Sequence, residues 1–89
     1  MREKAEALER FGRNLRRERL RAGLSQTALA RRASISRSYV GRLEAAGSEC
    51  RFIILMRLAD ALGIEVDELL DGIVWTPDPA RCVPQDRGG

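Results

Sequence analysis

The side chains best equipped for chemistry in this 89-residue chain are its arginines. Arg37 and Arg42 stand five positions apart, with the small hydroxyl of Ser38 between them. A guanidinium is planar and permanently charged, and it donates two parallel hydrogen bonds to a carboxylate, to a phosphate or to the O6 and N7 atoms of guanine. This segment therefore suits the recognition of an anion or of a base edge. The alternative to a base contact is that both arginines bind phosphate or lie on a solvated helix face.

The residues that the chain lacks argue against catalysis. It has no histidine, which excludes Ser-His and Cys-His nucleophiles, histidine general bases and histidine zinc ligands. Its single lysine is Lys4, and its two cysteines, Cys50 and Cys82, are too few and too far apart for a zinc site. The acidic residues within 65–71 lack the spacing of a calcium loop. We expect a protein that is not an enzyme and that uses no cofactor and no metal.

Charge is distributed unevenly along the chain. The formal net charge is +3, yet residues 1–57 carry 14 basic and six acidic side chains, whereas residues 58–89 carry two basic and seven acidic ones. A basic half suits a polyanionic partner such as nucleic acid, with a mixed-charge solvated surface as the alternative. The longest apolar run, residues 52–56, is far shorter than the roughly 20 residues of a membrane span, and no apolar signal region follows Met1. We expect no membrane partner and a cytoplasmic location.

Helix start and stop signals predict the elements that position these side chains. Ser25 and Ser36 suit the N-cap of a helix, and Gly23 and Gly63 suit the position just after a helix end. Apolar residues recur with helical rather than strand spacing. The predicted helices cover residues 3–22, 26–33, 37–46, 52–62 and 66–70. They form one domain over residues 1–72, and the prolines that follow predict a short, irregular and partly disordered tail over residues 73–89.

Residues 26–44 have the pattern of two short helices that cross closely. Ala30 is small where the helices approach, Ile35 fills the turn, and Val40 and Leu43 face inward from the second helix. This is the helix-turn-helix arrangement. Its first helix sets the angle of the second, whose outer side chains then enter the major groove of a DNA duplex.

Four runs of the sequence resemble the lambda-repressor-like helix-turn-helix family, also called Cro/C1 or Xre type. They are Leu24-Ser25-Gln26-Thr27-Ala28-Leu29-Ala30, Ile35-Ser36-Arg37-Ser38-Tyr39-Val40, Leu43-Glu44 and Leu58-Ala59-Asp60-Ala61-Leu62-Gly63, within a match over residues 11–71. The resemblance implies an all-α, five-helix lambda-repressor-like DNA-binding domain with a short irregular C-terminal tail. The chain departs from the family at three positions: Ser34 and Ala46 stand where glycine is usual, and Cys50 stands where proline is frequent.

The resemblance also implies site residues, with double-stranded DNA as the partner. It implies base contacts by Arg37, Ser38 and Arg42, and a structural ion pair between Arg19 and Glu44. It further implies contacts to the DNA backbone, or to backbone and bases together, by Gln26, Thr27, Tyr39, Gly41, Arg51 and the backbone amide of Phe52. Mid-helix glycine costs about 1 kcal/mol relative to alanine. The glycine at position 41 therefore indicates either a close approach of the helix to DNA or a tolerant surface position.

The five consecutive apolar residues 52–56 cannot all face one core, because a helix turns by about 100° per residue. We expect a C2 homodimer whose interface contains Ile53, Ile54, Met56, Leu70 and Trp75. In the alternative, the C-terminal tail covers this surface within one chain. A dimer would present two recognition helices about 34 Å apart to half-sites about 10 bp apart.

Two functions from different classes follow from these features. The first is a sequence-specific transcription regulator that binds a near-palindromic operator as a homodimer, such as a restriction–modification controller or a phage-type repressor. The second is an antitoxin or protein-interaction module that masks a toxin through residues 72–89 and autoregulates its operon. Deletion of that segment discriminates between them. The sequence does not give the operator, because no one-letter code links side chains in the groove to bases. It also leaves open whether the protein activates or represses transcription and whether it contacts RNA polymerase.

Overall fold

The computed structural model describes residues 2–74, which form five helices and no strand. The helices are α1 (Arg2–Arg21), α2 (Gln26–Ala33), α3 (Arg37–Glu44), α4 (Phe52–Leu62) and α5 (Val66–Leu69). The all-α, five-helix architecture expected from the sequence is thereby confirmed. Within the described range, no helix is both long enough and apolar enough to cross a membrane.

The helix limits follow from local hydrogen bonds that the sequence predicts. The Ser25 hydroxyl accepts a hydrogen bond from the amide of Ala28 at 3.0 Å, and the Ser36 hydroxyl accepts one from the amide of Tyr39 at 3.0 Å. Each serine thus satisfies one of the amides that a helix N-terminus leaves without an internal partner. These two caps place the start of α2 and of α3 at the predicted residues.

The helix predicted over residues 37–46 is shorter in the structure. α3 ends at Glu44, because Ala46 adopts a left-handed backbone with φ 62° and the Gly47 amide donates to the Arg42 carbonyl oxygen at 2.7 Å. The predicted end, at about residue 46, therefore lies two residues beyond the observed one. α1 and α5 differ from their predicted limits by a single residue.

Two residues without the freedom of glycine occupy the left-handed region. Ser34, with φ 60°, and Ala46, with φ 62°, are the non-glycine residues of the described chain that have positive φ. Both stand where the family resemblance expects glycine. A side chain in this conformation costs roughly 1–2 kcal/mol, because Cβ approaches the following carbonyl oxygen. The turn between α2 and α3 and the loop after α3 are therefore strained points of the fold.

The core draws on all five helices and is aliphatic apart from one phenylalanine. α1 packs against α3 and α5, while α2 packs against α3 and α4. This arrangement encloses α3 on its inner side. The buried apolar residues are Phe11, Leu15, Leu29, Ala30, Ala33, Val40, Leu43, Leu58, Ala59 and Leu69.

Gly12 allows α1 to lie directly on the C-terminal end of α3. A Cβ atom at this position would lie 2.6 Å from the carbonyl oxygen of Glu44 and 2.7 Å from that of Leu43. Real Cβ atoms do not approach backbone oxygens so closely, so any side chain here would push the helices apart. Helical periodicity does not mark this position, because the requirement for glycine comes from a contact 31 and 32 residues along the chain.

Side chains of α1 hold the C-terminal end of α5. Asn14 is buried and donates from Nδ2 to the carbonyl oxygens of Leu69 at 2.9 Å and Asp71 at 2.8 Å. Arg17 donates from Nη2 to the carbonyl oxygen of Glu68 at 3.2 Å. These acceptors lie where a helix end leaves carbonyl groups without an internal partner. The short helix α5 is therefore stabilised by α1 rather than by its own length.

Candidate nucleic-acid interface

α2 and α3 cross with their apolar faces together and leave the outer face of α3 to solvent. Val40 and Leu43 are fully buried on the inner face of α3. In the turn, the Ile35 amide donates to the Ala30 carbonyl oxygen at 2.9 Å. A single helix is about 10–12 Å across with its side chains, which matches a major groove about 12 Å wide. The packed inner face therefore gives the outer side chains of α3 a fixed direction.

The N-terminal end of α3 carries two of the predicted base-contact residues. Arg37 and Ser38 are both exposed. Neither side chain has a hydrogen bond or an ion pair to any other residue within 2–74. Both are therefore available to a ligand that approaches this end of the helix.

Arg42, one turn further along α3, is exposed but is not free. Its Nε donates to the Ser48 hydroxyl at 3.1 Å, and its guanidinium carbon lies 5.5 Å from the centroid of the Tyr39 ring. The Tyr39 hydroxyl in turn donates to the Glu49 carbonyl oxygen at 2.9 Å. Sequence reasoning did not single out Ser48, whose one signal was its place in a polar loop. The structure makes that loop part of the site.

Arg19 and Glu44 are paired between α1 and α3, as the resemblance implies. Arg19 donates from Nε to Glu44 Oε2 at 2.6 Å and from Nη2 to Oε1 at 3.1 Å, and the two side chains are only 8% and 5% exposed. The hydrogen bond to the carboxylate raises the pKa of the Arg19 guanidinium. Arg19 also donates from Nη1 to the Leu24 carbonyl oxygen at 2.9 Å. One guanidinium thus ties α1 to the loop before α2 and to the end of α3.

The N-terminal end of α2 contributes Gln26 and Thr27. Gln26 is half-buried and donates from Nε2 to Glu44 Oε1 at 3.0 Å, so one of its amide protons is used inside the chain. Thr27 is exposed. A Cβ atom on Gly41 would lie 3.8 Å from Gln26 Oε1, which is ordinary van der Waals contact. No contact among residues 2–74 therefore requires glycine at position 41.

The N-terminal end of α4 presents Arg51 and Phe52. Arg51 is the exposed N-cap residue, and its side chain makes no capping hydrogen bond. The first amides of a helix have no internal acceptor, and the helix dipole adds partial positive charge there. Together these groups form a surface that favours an anion such as a phosphate.

The residues predicted for a dimer interface differ in how far they are exposed to solvent. Ile53, Met56 and Leu70 are exposed apolar side chains, with Ile53 at 57%. Ile54 is half-buried and packs against the core, which leaves less of it for a partner. Trp75 lies outside the described residues. An apolar surface on α4 and after α5 is therefore present without a covering element from the described chain.

Comparison with known proteins places this geometry in a family. The model of the helix-turn-helix domain family matches residues 10–71. The restriction-modification controller protein C.AhdI from Aeromonas hydrophila is 42% identical, with a TM-score of 0.69 over 70% of this chain and 94% of that chain. The hypothetical transcription factor NHTF from Neisseria is 28% identical, with a TM-score of 0.70 over 75% of this chain and 77% of that chain. No curated protein matches the chain. The chain belongs to the helix-turn-helix domain family, in its Cro/C1-like form, and is a DNA-binding transcriptional regulator.

Proposed function

We propose that this chain binds a specific, near-palindromic operator as a homodimer, with base contacts from Arg37, Ser38 and Arg42. The observation that carries the proposal is that all three are exposed on α3, whose opposite face is fully buried. A helix held in this way keeps guanidinium groups within the narrow tolerance of bidentate hydrogen bonds to guanine. Gly41 lies on the same outer face and leaves it free of a side chain, which favours close approach to the bases.

The remaining proposed contacts go to the DNA backbone. Gln26 and Thr27 are at the N-terminal end of α2, and Arg51 and the Phe52 amide are at that of α4, so both groups offer donors to phosphates. The Tyr39 ring lies 5.5 Å from the Arg42 guanidinium carbon and lines the same surface groove as Arg51, so it is placed for a backbone or mixed contact. Contacts of this kind fix the register of the protein on the duplex but carry no sequence information. They make affinity dependent on salt, since each neutralised phosphate releases counterions.

The proposed homodimer rests on exposed apolar side chains. The exposure of Ile53, Met56 and Leu70 supports their place in the interface. Ile54 and Trp75 remain proposed contributors. A C2 interface on this surface would pair two copies of α3, which suits an operator whose half-sites lie one helical turn apart.

The proposed biological role is control of a restriction–modification operon. It is supported by 42% identity to a controller protein of that class. Such a role requires binding rather than catalysis, and in a bacterial cell it places the protein with the DNA in the cytoplasm. A phage-type repressor uses the same surface. The antitoxin hypothesis assigns its function to residues 72–89, of which only 72–74 are described, and it stays a prediction.

The test is selection of duplexes from a random-sequence library by the purified chain, followed by mobility-shift titration of the selected duplex and of a scrambled one. We expect the wild type to prefer the selected duplex by at least about 1,000-fold. Arg37→Ala and Arg42→Ala should each reduce this preference by about 5- to 150-fold.

Arg32→Ala is the matched control, because Arg32 is exposed on α2 outside the proposed contact set and has no partner among residues 2–74. It should lower affinity for both duplexes slightly and equally, if at all. Equal binding of the selected and scrambled duplexes by the wild type and all three variants would refute the assignment of α3 as the recognition helix.

A further inference from the structure

We propose that Ser48, in the loop after the recognition helix α3, is a positioning residue that sets the Arg42 guanidinium for end-on contact with guanine. The inference rests on the proposed function, because it concerns the orientation of one proposed base contact. It extends the site to a residue outside the two helices of the motif.

Arg42 is restrained by contacts at its edge and at its face. The Ser48 hydroxyl accepts a hydrogen bond from Arg42 Nε at 3.1 Å, and the guanidinium carbon lies 5.5 Å from the centroid of the Tyr39 ring. The first contact fixes the edge that carries Nε, and the cation–π contact restricts the group at its face. The terminal nitrogens Nη1 and Nη2 have no partner among the described residues.

The engaged edge decides which donors remain for a base. A guanidinium offers two kinds of parallel donor pair: the two terminal nitrogens, or Nε with one terminal nitrogen. With Nε bound to Ser48, only the end-on pair from Nη1 and Nη2 is left for guanine O6 and N7. A side chain already ordered in this geometry loses less conformational freedom on binding than a free arginine would.

Ser48 can orient Arg42 because hydrogen bonds and an ion pair fix the position of the loop that contains Ser48. Before it, the Gly47 amide donates to the Arg42 carbonyl oxygen at 2.7 Å. After it, the Glu49 carbonyl oxygen accepts a hydrogen bond from the Tyr39 hydroxyl at 2.9 Å. The Glu49 carboxylate is also paired with Lys4 of α1. The position of Ser48 is thus set from both α3 and α1.

The experiment uses the duplex that the wild-type chain selects from a random library, together with every single-base-pair variant of that duplex. Arg42→Ala identifies the position that Arg42 reads, where preference for guanine should fall by about 5- to 150-fold. Ser48→Ala should reduce preference at that same position by about 3- to 10-fold, as expected for loss of one neutral acceptor, and leave the other positions unchanged. The salt dependence of binding should not change, because no charge is removed.

Two further comparisons separate positioning from a structural role. Ser48→Thr and Ser48→Val have the same shape but differ in the hydroxyl, so the threonine variant should keep the wild-type preference and the valine variant should behave like Ser48→Ala. In an Arg42→Ala background, Ser48→Ala should have no further effect on base preference.

Several results would overturn the inference: tighter binding by Ser48→Ala, a loss spread evenly over all positions, equal behaviour of the threonine and valine variants, or an undiminished effect without Arg42. A selected duplex for which Arg42→Ala keeps every base preference would also overturn it, while leaving the proposed DNA recognition intact. If the wild type enriches no sequence, the proposed function fails and the inference fails with it.

Discussion

Glu44 is the acceptor at which side chains of α1 and α2 meet the end of α3. Arg19 donates to both carboxylate oxygens, and Gln26 donates to one of them. A buried carboxylate is tolerated only when its lone pairs are satisfied in this way. The network therefore sets the crossing of α1 on α3, and with it the direction in which the recognition helix presents its outer face.

Arg19→Ala should lower the free energy of unfolding by about 3–5 kcal/mol, because it leaves the Glu44 carboxylate buried without its cation. Urea denaturation followed by far-ultraviolet circular dichroism measures the change. Arg16→Ala is the control, since Arg16 is exposed on the same helix and has no partner among residues 2–74. Its effect should stay within about 0.5 kcal/mol. A loss for Arg19→Ala no larger than that of the control would show that the ion pair does not stabilise the fold.

Cys50 should be unreactive in the folded chain, because burial raises the pKa of its thiol from 9.0 to about 11. The folded state binds this proton more tightly than the unfolded state, so its contribution to stability is complete below about pH 9 and is lost as pH rises toward 11. At pH 8 we therefore expect far less thiolate in the folded chain than in the unfolded chain. Iodoacetamide labelling of a Cys82→Ser variant should therefore be much slower in buffer than in urea. Similar rates in both would contradict the burial of this thiol.

At the scale of elements, the helices obey local rules while the loops around the recognition helix do not. Ser25 and Ser36 cap their helices as predicted. Ser34 and Ala46, by contrast, place side chains in left-handed backbone. The second of these residues shortens α3 and directs the chain into the loop that carries Ser48.

Ala46→Gly should raise the free energy of unfolding by about 0.5–1 kcal/mol, since relief of left-handed strain exceeds the extra entropy that glycine gives the unfolded chain. Thermal and urea denaturation both report it. Ala45→Gly is the matched control at the neighbouring position, where φ is −90° and no strain is present. That variant should be neutral or less stable. A destabilised Ala46→Gly variant would mean that the methyl group makes a stabilising contact that outweighs the strain.

At the scale of the molecule, two kinds of exposed surface lie on different helices. The exposed arginines at positions 37 and 42 are on α3, whereas the exposed apolar residues Phe52, Ile53 and Met56 are on α4. Residues 1–57 carry 14 of the 16 basic side chains, whereas the acidic side chains are divided almost evenly, six before and seven after residue 57. This separation suits the proposed function, in which one face binds DNA and another face pairs with a second copy.

Ile53→Asp should convert the proposed homodimer into a monomer, because it places a charge within the proposed apolar interface. Sedimentation equilibrium gives the mass directly. Leu20→Asp is the matched control, since Leu20 is also apolar and exposed, at 54% against 57% for Ile53, but belongs to α1 and is not one of the proposed interface residues. Ile53→Asp should also lose operator affinity because it loses the dimer, whereas Leu20→Asp should keep both. A wild-type mass equal to one chain, or dissociation by both variants, would refute the proposed surface.

What the sequence determined by itself were the features of regular helices, which depend on residues three or four positions apart in the chain. A serine cap acts over three residues, and helical apolar spacing acts over three or four. For this reason the five helices, the inward side of α3 and its outward arginines were all predictable. The pairing of Arg19 with Glu44, which are far apart in the chain, was predicted only from the family resemblance.

What only the tertiary structure decided were contacts between residues far apart in the chain or in irregular loops. Gly12 matters because of the carbonyl oxygen of Glu44, and Asn14 because of carbonyl oxygens 55 and 57 residues away. Ser48 holds Arg42 because the loop after α3 turns back on the helix. Such partners are set by the packing of whole helices and by loop dihedral angles, neither of which has a period along the sequence. The outward side of α3 was therefore predictable from the sequence, whereas the crossing of α1 on α3 and the orientation of Arg42 were decided by the fold.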